Sequence, residues 1–367
     1  MDHLLPPNAT DFEKAMSLSM DRFDQFDEAM LSMHGFKLPG LGRIPRAFLP
    51  FMVYEFGLGE ISSYFGDPET LIMNGLPWQR QRGTFAAVRR ALTWINQAGD
   101  IEHFPTRRKR WNLWMEHIAN AIPIEEPTLD DIEYLCNVSA PARSFFWRGF
   151  RDYDVRALDW SWTKWSQTNY STYSGARTNG KAKWSFGRSY EFNMPFPQAA
   201  LEEMGIWIAP TGSSLMWGPY TWANANASWQ DPLNASRAPL MISNLVAKKV
   251  RVVFRAGEDV IGYRRARIVR GVDYQTPGIY RINDEQYGPS VSPSMFYVEA
   301  LTDFGNGSGY VADNIQLVFG GTRVNAKVGD HWLDQAQLTG GTRIDIGPVN
   351  IDFRRTVRER VKMIFRF

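Results

Sequence analysis

The residue types that carry catalysis are scattered along this chain rather than grouped. The five histidines stand at positions 3, 34, 103, 117 and 331, and none of them forms the i, i+4 pair of a helical metal site. His331 lies beside Asp330 and Trp332 and could act as a base, but a single histidine in a loop is more often structural. We therefore expect no metal site and no cofactor.

The remaining reactive groups also have structural explanations. Cys136 falls on the apolar side of a predicted helix, where a buried, inert thiol is usual. Gly305-x-Gly307-x-Gly309 precedes a predicted strand, so it lacks the helix N-terminus that would hold a phosphate. Acidic pairs stand where helices are expected to begin, and the helix dipole favours acids there; they are Glu125-Glu126, Asp130-Asp131 and Glu202-Glu203. Neither a Gly-x-Ser-x-Gly elbow nor a P-loop occurs, and we predict no enzymatic activity.

Aromatic residues are the marked feature of the composition. The 14 Trp, 14 Tyr and 23 Phe make up 14% of the 367 residues. The tryptophans from position 160 onward are Trp160, Trp162, Trp165, Trp184, Trp207, Trp217, Trp222, Trp229 and Trp332. Some must fill a β-sheet core, and the others could stack on sugars or anchor a protein partner. Both interpretations stay open.

The totals exclude several classes of protein. With 41 Lys plus Arg against 39 Asp plus Glu, the net charge of +2 gives no electrostatic reason to expect nucleic acid or an anionic membrane as a partner. The short basic run at 107–110 is interpreted as a solvated face or a contact with an acidic partner. No apolar run approaches the roughly 20 residues of a membrane span. The single cysteine and the absence of a signal peptide predict a protein made and kept in the cytoplasm.

The chain is organised around a first helix that runs from Thr10 to about Met33. Thr10 and Glu13 have the spacing of a capping box, which fixes the helix start. A heptad seam follows on one face, and its members are Phe12, Met16, Ser19, Phe23, Phe26, Met30 and Met33. Such a narrow seam of large, flexible residues favours a helical bundle with partner chains. The alternative is that the helix packs on its own domain.

Further helices and strands complete the first half. Helices are predicted after Pro45, after Thr84 with Val88, Leu92 and Ile95 on one face, and from Thr128. Strands are predicted at 110–118, 145–147 and 155–160. These elements indicate a helical region followed by a small α/β unit.

The second half has the pattern of an antiparallel β-sandwich or barrel. Short apolar alternations predict strands at 206–208, 250–254, 266–269, 295–298, 315–319 and 349–353. Glycines at 305–307, 320–321 and 340–341 punctuate them as hairpin turns. We therefore predict an α+β multidomain chain divided at 1–35 (heptad helix), 36–100 (helical domain), 101–180 (small α/β domain) and 181–367 (β-rich domain).

Several motifs of the first half, in this order, carry a family resemblance. They are Leu4 to Thr10 with Glu13, Leu49-Pro50-Phe51-Met52, Arg82-Gly83-Thr84 through Leu92, Ser139-x-Pro141-Ala142-Arg143-Ser144, and Tyr153 to Leu158. Together they resemble the phage tail protein I family, a baseplate wedge component of contractile-tailed bacteriophages. Phe51 stands where the family commonly has Trp, and the β-rich region from about 180 is additional to the short family members.

The resemblance implies a structural role in the virion. In this family one copy joins two copies of a larger wedge protein through a helical bundle, and six such wedges ring the hub. The implied partners are therefore the larger wedge protein, in a heterotrimer, and the hub and sheath-initiator proteins. The implied contact residues are Phe12, Met16, Phe23, Phe26, Met30 and Met33. For the β-rich half, contact with neighbouring wedges or tail fibres is a hypothesis.

Two other functions remain as alternatives. The Trp-rich β half could be a receptor-binding or adhesion module for cell-surface glycan, which binding of polysaccharide by residues 180–367 alone would favour. A glycan hydrolase is the weakest alternative, because no pair of catalytic carboxylates is recognisable.

Overall fold

The computed structural model describes residues 5, 8–20, 46–103, 111–157, 168–169, 173–209 and 232–367. Its helices are α1 (Asp11–Met20), α2 (Leu49–Glu55), α3 (Pro68–Gln81), α4 (Phe85–Thr93), α5 (Thr128–Ser139), α6 (Gln198–Glu203) and α7 (Pro232–Ala247). Short 3-10 helices span Arg46–Phe48, Leu58–Tyr64 and Gln335–Gln337. Helices dominate the first part of the chain and strands the second, which confirms the predicted α+β class.

The longest strands lie in the second half of the chain. They are β1 (Gly99–His103), β2 (Leu113–Ile118), β3 (Phe145–Arg151), β4 (Arg156–Ala157), β5 (Thr168–Asn169), β6 (Lys183–Pro195), β7 (Val250–Ala256), β8 (Asp259–Tyr274), β9 (Tyr280–Ile282), β10 (Glu285–Pro289), β11 (Met295–Leu301), β12 (Val311–Phe319), β13 (Thr322–Arg323), β14 (Trp332–Leu333), β15 (Leu338–Thr339), β16 (Thr342–Asp352) and β17 (Val357–Arg366).

Local capping explains where the helices of the first half begin. The Asp67 side chain accepts from the Thr70 amide at 3.2 Å at the start of α3, and Thr84 Oγ1 accepts from the Ala87 amide at 3.3 Å at the start of α4. The Thr84 cap was predicted. The helices pack through buried apolar faces, and the indole of Trp78 donates to Ser139 Oγ at 2.9 Å, which ties α3 to α5.

One mixed sheet connects the two halves of the chain. Its strand order is β1-β2-β3-β6-β17-β11-β8-β7-β12-β16. The pairs β2/β3, β3/β6 and β6/β17 are parallel, and the pairs from β17 to β16 are antiparallel. The sheet therefore crosses the predicted boundary at 180. The prediction that the second half is purely antiparallel was wrong, because β6 pairs in parallel with β3 and β17. The division into four domains stays a prediction.

The long strand β8 folds the second half back on itself. Residues Asp259 to Arg265 pair with β7, whereas Ala266 to Val272 pair with β11. The register shift leaves Arg267 as an extra residue at this change of partner, and such bulges bend a strand. The two arms enclose an apolar core whose members include Val252, Phe254, Phe296, Val298, Leu317, Met363 and Phe365. The half is thus sandwich-like, as predicted.

Two segments of the second half differ from the prediction. Residues 206–208 are not a strand, because the amides of Ile206 and Trp207 both donate to the Leu201 carbonyl, at 3.0 and 3.2 Å, and close the end of α6. Helix α7 was not predicted, and Pro239 lies inside it. Of the strand predicted at 155–160, β4 covers two residues, and 158–160 lie outside the described part.

A buried ion pair holds β3 against the segment that leads into β6. The Arg148 side chain has no exposed surface, and its guanidinium donates to both carboxylate oxygens of Asp154 and to the Ser174 carbonyl at 2.8 Å. Ser185 Oγ donates to Asp154 Oδ1 at 3.0 Å. Because every charge is hydrogen bonded, the cost of removing the pair from water is offset.

This network predicts an asymmetric response to two aspartate substitutions. Asp154→Asn leaves the Arg148 charge buried and without a counter-charge, so we expect the free energy of unfolding to fall by about 3–5 kcal/mol. The Asp152 side chain is 57% exposed and pairs with Arg151. Asp152→Asn should therefore cost less than about 1 kcal/mol. Urea unfolding followed by tryptophan fluorescence measures both. Equal losses would contradict a structural role for the buried pair.

Candidate assembly surface

Helix α1 has the start that the sequence predicts. The Thr10 amide donates to Glu13 Oε2 at 2.7 Å, and the Glu13 amide donates to Thr10 Oγ1 at 3.4 Å. These reciprocal bonds confirm the capping box. The bond from the Thr10 amide, with a second one from its hydroxyl, lowers the pKa of Glu13.

The apolar face of α1 is open to solvent. Phe12 is 75% exposed, Met16 48% and Met20 70%, and the helix has no buried residue. The steps of four residues keep these three side chains on adjoining turns of one face. Leu18 is also exposed, but it lies about 200° around the helix from Met16. A ten-residue helix is marginal alone in water, so this face calls for a partner.

The structure brings together only the first part of the predicted seam. Phe12 and Met16 lie side by side on α1, and the hydroxyl of Ser19 donates to the Met16 carbonyl at 2.9 Å. The other predicted contact residues, Phe23, Phe26, Met30 and Met33, lie outside the described residues. Their place in the seam stays a prediction.

A second apolar surface lies on α2. Leu49 and Met52 are each 4% exposed and face the helical core, whereas Phe51 is 72% and Tyr54 89% exposed on the outer side. The three-residue step between Phe51 and Tyr54 gives them a common outward direction. In the sequence, Phe51 stands out only as a substitution within a family motif. The run of apolar residues over 49–54, which is longer than one buried helix face requires, is the signal that indicates this surface.

The groups that could have carried catalysis are used structurally. Glu125 Oε1 accepts from the amide and the hydroxyl of Thr356, at 2.8 and 2.5 Å. Asp131 Oδ1 accepts from the Tyr64 hydroxyl at 3.0 Å. Cys136 is fully buried, and burial raises the pKa of its thiol well above the ordinary value. A thiol with a raised pKa is a poor nucleophile.

The loop candidates have equally local roles. The backbone carbonyl of His331 accepts a hydrogen bond from the Arg265 amide at 3.0 Å. Gly305, Gly307 and Gly309 all have positive φ, at 83°, 65° and 89°, and lead into β12 as a turn. Among the described residues, no group of three or more His, Cys, Asp or Glu is placed to hold a metal ion.

The described tryptophans of the second half pack inside the protein. Trp184 is fully buried. Trp332 stacks on Phe254 with 5.9 Å between ring centroids, and Trp207 packs at the edge of the same core with the Arg237 guanidinium 4.8 Å from its ring. The remaining six, Trp160, Trp162, Trp165, Trp217, Trp222 and Trp229, lie outside the described residues. A stacking platform for sugars therefore does not form from the three described rings.

Two buried glutamates have strongly perturbed carboxyl groups. Burial raises the pKa of Glu116, on β2, to about 7, against a smaller opposing effect of Arg89. Burial raises the pKa of Glu359, on β17, to about 7 as well, although Arg188 Nε lies 3.6 Å from its carboxylate. A raised carboxyl pKa often marks a catalytic acid. Here Glu116 is 0% and Glu359 1% exposed, so both carboxyl groups are closed off from solvent.

The raised pKa of Glu116 predicts a pH-dependent stability. An ordinary glutamate, with a pKa near 4.5, loses its proton in the unfolded chain, while the folded protein keeps the proton up to about pH 7. The stability that this group contributes is therefore present below pH 4.5 and is lost as the pH rises to 7. Glu116→Gln should flatten that decline and raise the free energy of unfolding at pH 8 by about 2–4 kcal/mol.

Thermal unfolding between pH 4.5 and 8 measures this effect. The decline of stability with pH that remains in Glu116→Gln is assigned to Glu359, whose pKa is also raised. Glu60→Gln is the control, because Glu60 lies at the surface in an ion pair with Arg82 at 2.8 Å, and it should leave the slope unchanged. A Glu116→Gln variant with the wild-type slope would contradict the assignment.

The described surface thus offers apolar contact faces on α1 and α2. Residues 5–143 match the family model described as phage tail protein (Tail_P2_I). The match covers α1 to α5 and confirms the predicted resemblance over that part of the chain. It indicates a structural role in a bacteriophage tail, contact with other tail proteins and a place in the virion. A comparison with curated proteins gives no match.

The helices themselves are short. Among the described residues, no helix has the length and apolar character needed to cross a membrane.

Proposed function

We propose that the chain is a structural wedge component of a contractile-tail baseplate, and that it joins a larger wedge protein through the seam on its first helix. The observation that carries the proposal is the open apolar face of α1, with Phe12 75% and Met16 48% exposed inside the region that matches the tail protein family. The capping box at Thr10 fixes where this face begins.

The seam has enough apolar surface to support association. Burying a Phe or Met side chain is worth about 1.5–3 kcal/mol, so six such residues give about 9–18 kcal/mol before costs. Association itself costs roughly 4–15 kcal/mol. The balance favours a stable bundle only if most of the seam is buried, which two partner helices achieve better than one. We therefore propose one copy of this chain with two of the larger protein.

The wider role follows from this arrangement. Six wedges would ring the hub, with the sheath-initiator proteins as further neighbours, and the β-rich half would contact adjacent wedges or tail fibres. The exposed apolar side chains Ile279, Val291 and Val328 lie on that half and suit such contacts. The bundle would persist as the rigid unit when the ring rearranges after attachment.

A matched pair of substitutions tests the seam. Met16→Asp places a charge in the proposed interface, whereas Leu18→Asp makes the same kind of change on the other side of α1, where Leu18 is 58% exposed. We expect co-expression with the larger wedge protein, followed by size-exclusion chromatography with mass determination, to give a complex of one copy with two. Met16→Asp and Phe23→Asp should abolish it, and Leu18→Asp should not.

Two results would contradict the proposal in different ways. A wild-type chain that elutes as a monomer or homotrimer without partner would rule out the wedge role. Equal behaviour of the Met16 and Leu18 variants would leave the role standing and rule out the seam.

A further inference from the structure

A basic groove lies in the β-rich half, outside the region that matches the tail protein family. It has a volume of about 470 Å³ and opens between the end of α7 and the bend of β8. Five of its lining residues are cationic: Lys248, Lys249, Arg265, Arg267 and Arg270. Among the residues that the structure describes, none of those lining the groove is acidic, although the chain as a whole has almost equal numbers of the two charges.

Four of these five cations have no side-chain partner among the residues that the structure describes, and Arg267 is the exception. Arg267 donates to the Tyr153 hydroxyl at 3.0 Å. The other four side chains form neither an ion pair nor a hydrogen bond with the residues that the structure describes. By contrast, the neighbouring Arg264 pairs with Asp303 at 2.7 Å. The positive charge of Lys248, Lys249, Arg265 and Arg270 is therefore available to a partner.

The clustering of cations around the groove is electrostatically unfavourable without a counter-charge. Arg265 lies directly opposite Arg251 in the β7/β8 register, and like charges in that position destabilise a sheet. Burial lowers the pKa of Arg251, and the nearby Arg323 and Arg265 lower it further. The C-terminus of α7 accounts for Lys248 and Lys249, since a helix end favours cations. It does not account for the three arginines of β8 that line the groove, Arg265, Arg267 and Arg270.

We propose that this groove binds an acidic segment of a partner protein. Arginine forks pair with carboxylates in two parallel hydrogen bonds, and the aliphatic residues Val246, Ile268 and Val269 give the peptide backbone and side chains apolar contacts. A volume of 470 Å³ is in the range of a site for a few residues.

The lining favours polypeptide over nucleic acid. Single-stranded nucleic acid is held by aromatic rings on which successive bases stack. Tyr280 is the aromatic residue of this lining, and its ring already stacks on Tyr297 with 4.6 Å between centroids. The groove thus lacks an open stacking platform in the part that the structure describes.

Fluorescence anisotropy with the full-length chain tests the proposal. The probe is a fluorescein-labelled peptide of alternating Glu and Gly, titrated at low and at high salt. We expect saturable binding that weakens with salt and falls by at least about tenfold in Arg265→Glu/Arg270→Glu, because each reversal adds repulsion. The matched control is Arg143→Glu/Arg177→Glu, which makes the same change in net charge at exposed arginines of the first half.

Several outcomes would overturn the proposal. They are no binding of the acidic peptide, equal loss in the two double variants, or tighter groove-dependent binding of a single-stranded oligonucleotide. An unchanged midpoint of thermal unfolding shows that a variant is folded. If Arg265→Glu/Arg270→Glu is not folded, Lys248→Gln/Lys249→Gln provides a milder test. Peptide binding should persist in Met16→Asp, so this test is independent of the wedge proposal.

Discussion

The fold depends on the register of one strand, β6, which pairs in parallel with β3 on one side and with β17 on the other. Its first residues, including Trp184 and Phe186, fill the core beneath the helices. Its later residues Tyr190, Phe192 and Met194 border the core of the β-rich half. A slip of one residue would turn every side chain to the opposite face. Both cores therefore require the same register.

Polar contacts reinforce this connection. The Arg354 guanidinium donates to the Ile122 carbonyl at 2.7 Å, and Thr356 donates twice to Glu125, so the loop before β17 is tied to the first half. Arg148 and Asp154 join β3 to the approach to β6. The bonds of Arg354 and Thr356 join residues that are 232 and 231 positions apart in sequence. They explain why the matched region and the additional β-rich region share one sheet instead of meeting only at a linker.

This construction suits a protein that works through its surfaces. The two acids with a raised pKa are buried. Glu125 and Asp131 accept hydrogen bonds, and the thiol of Cys136 is fully buried. The exposed surface carries apolar side chains on α1 and α2, and the cations Lys248, Lys249, Arg265 and Arg270 beside the bend of β8. These features lie on separate elements, with α1 and α2 in the first half and β8 in the second.

The sequence by itself determined the features that depend on neighbours three or four residues away. The caps at Thr10 and Thr84 and the glycine turns at 320–321 and 340–341 follow from such local contacts, and so does the exposed face that begins at Phe12. Only the tertiary structure decided the features whose partners are distant. The bend of β8 brings Lys249 and Arg265 into the lining of one groove. Strand β6 lies inside the sheet because β3 and β17 pair with its two edges. The physical reason is that pairing, burial and the summation of charge depend on which segments meet in space, and the spacing of residues along the chain does not contain that information.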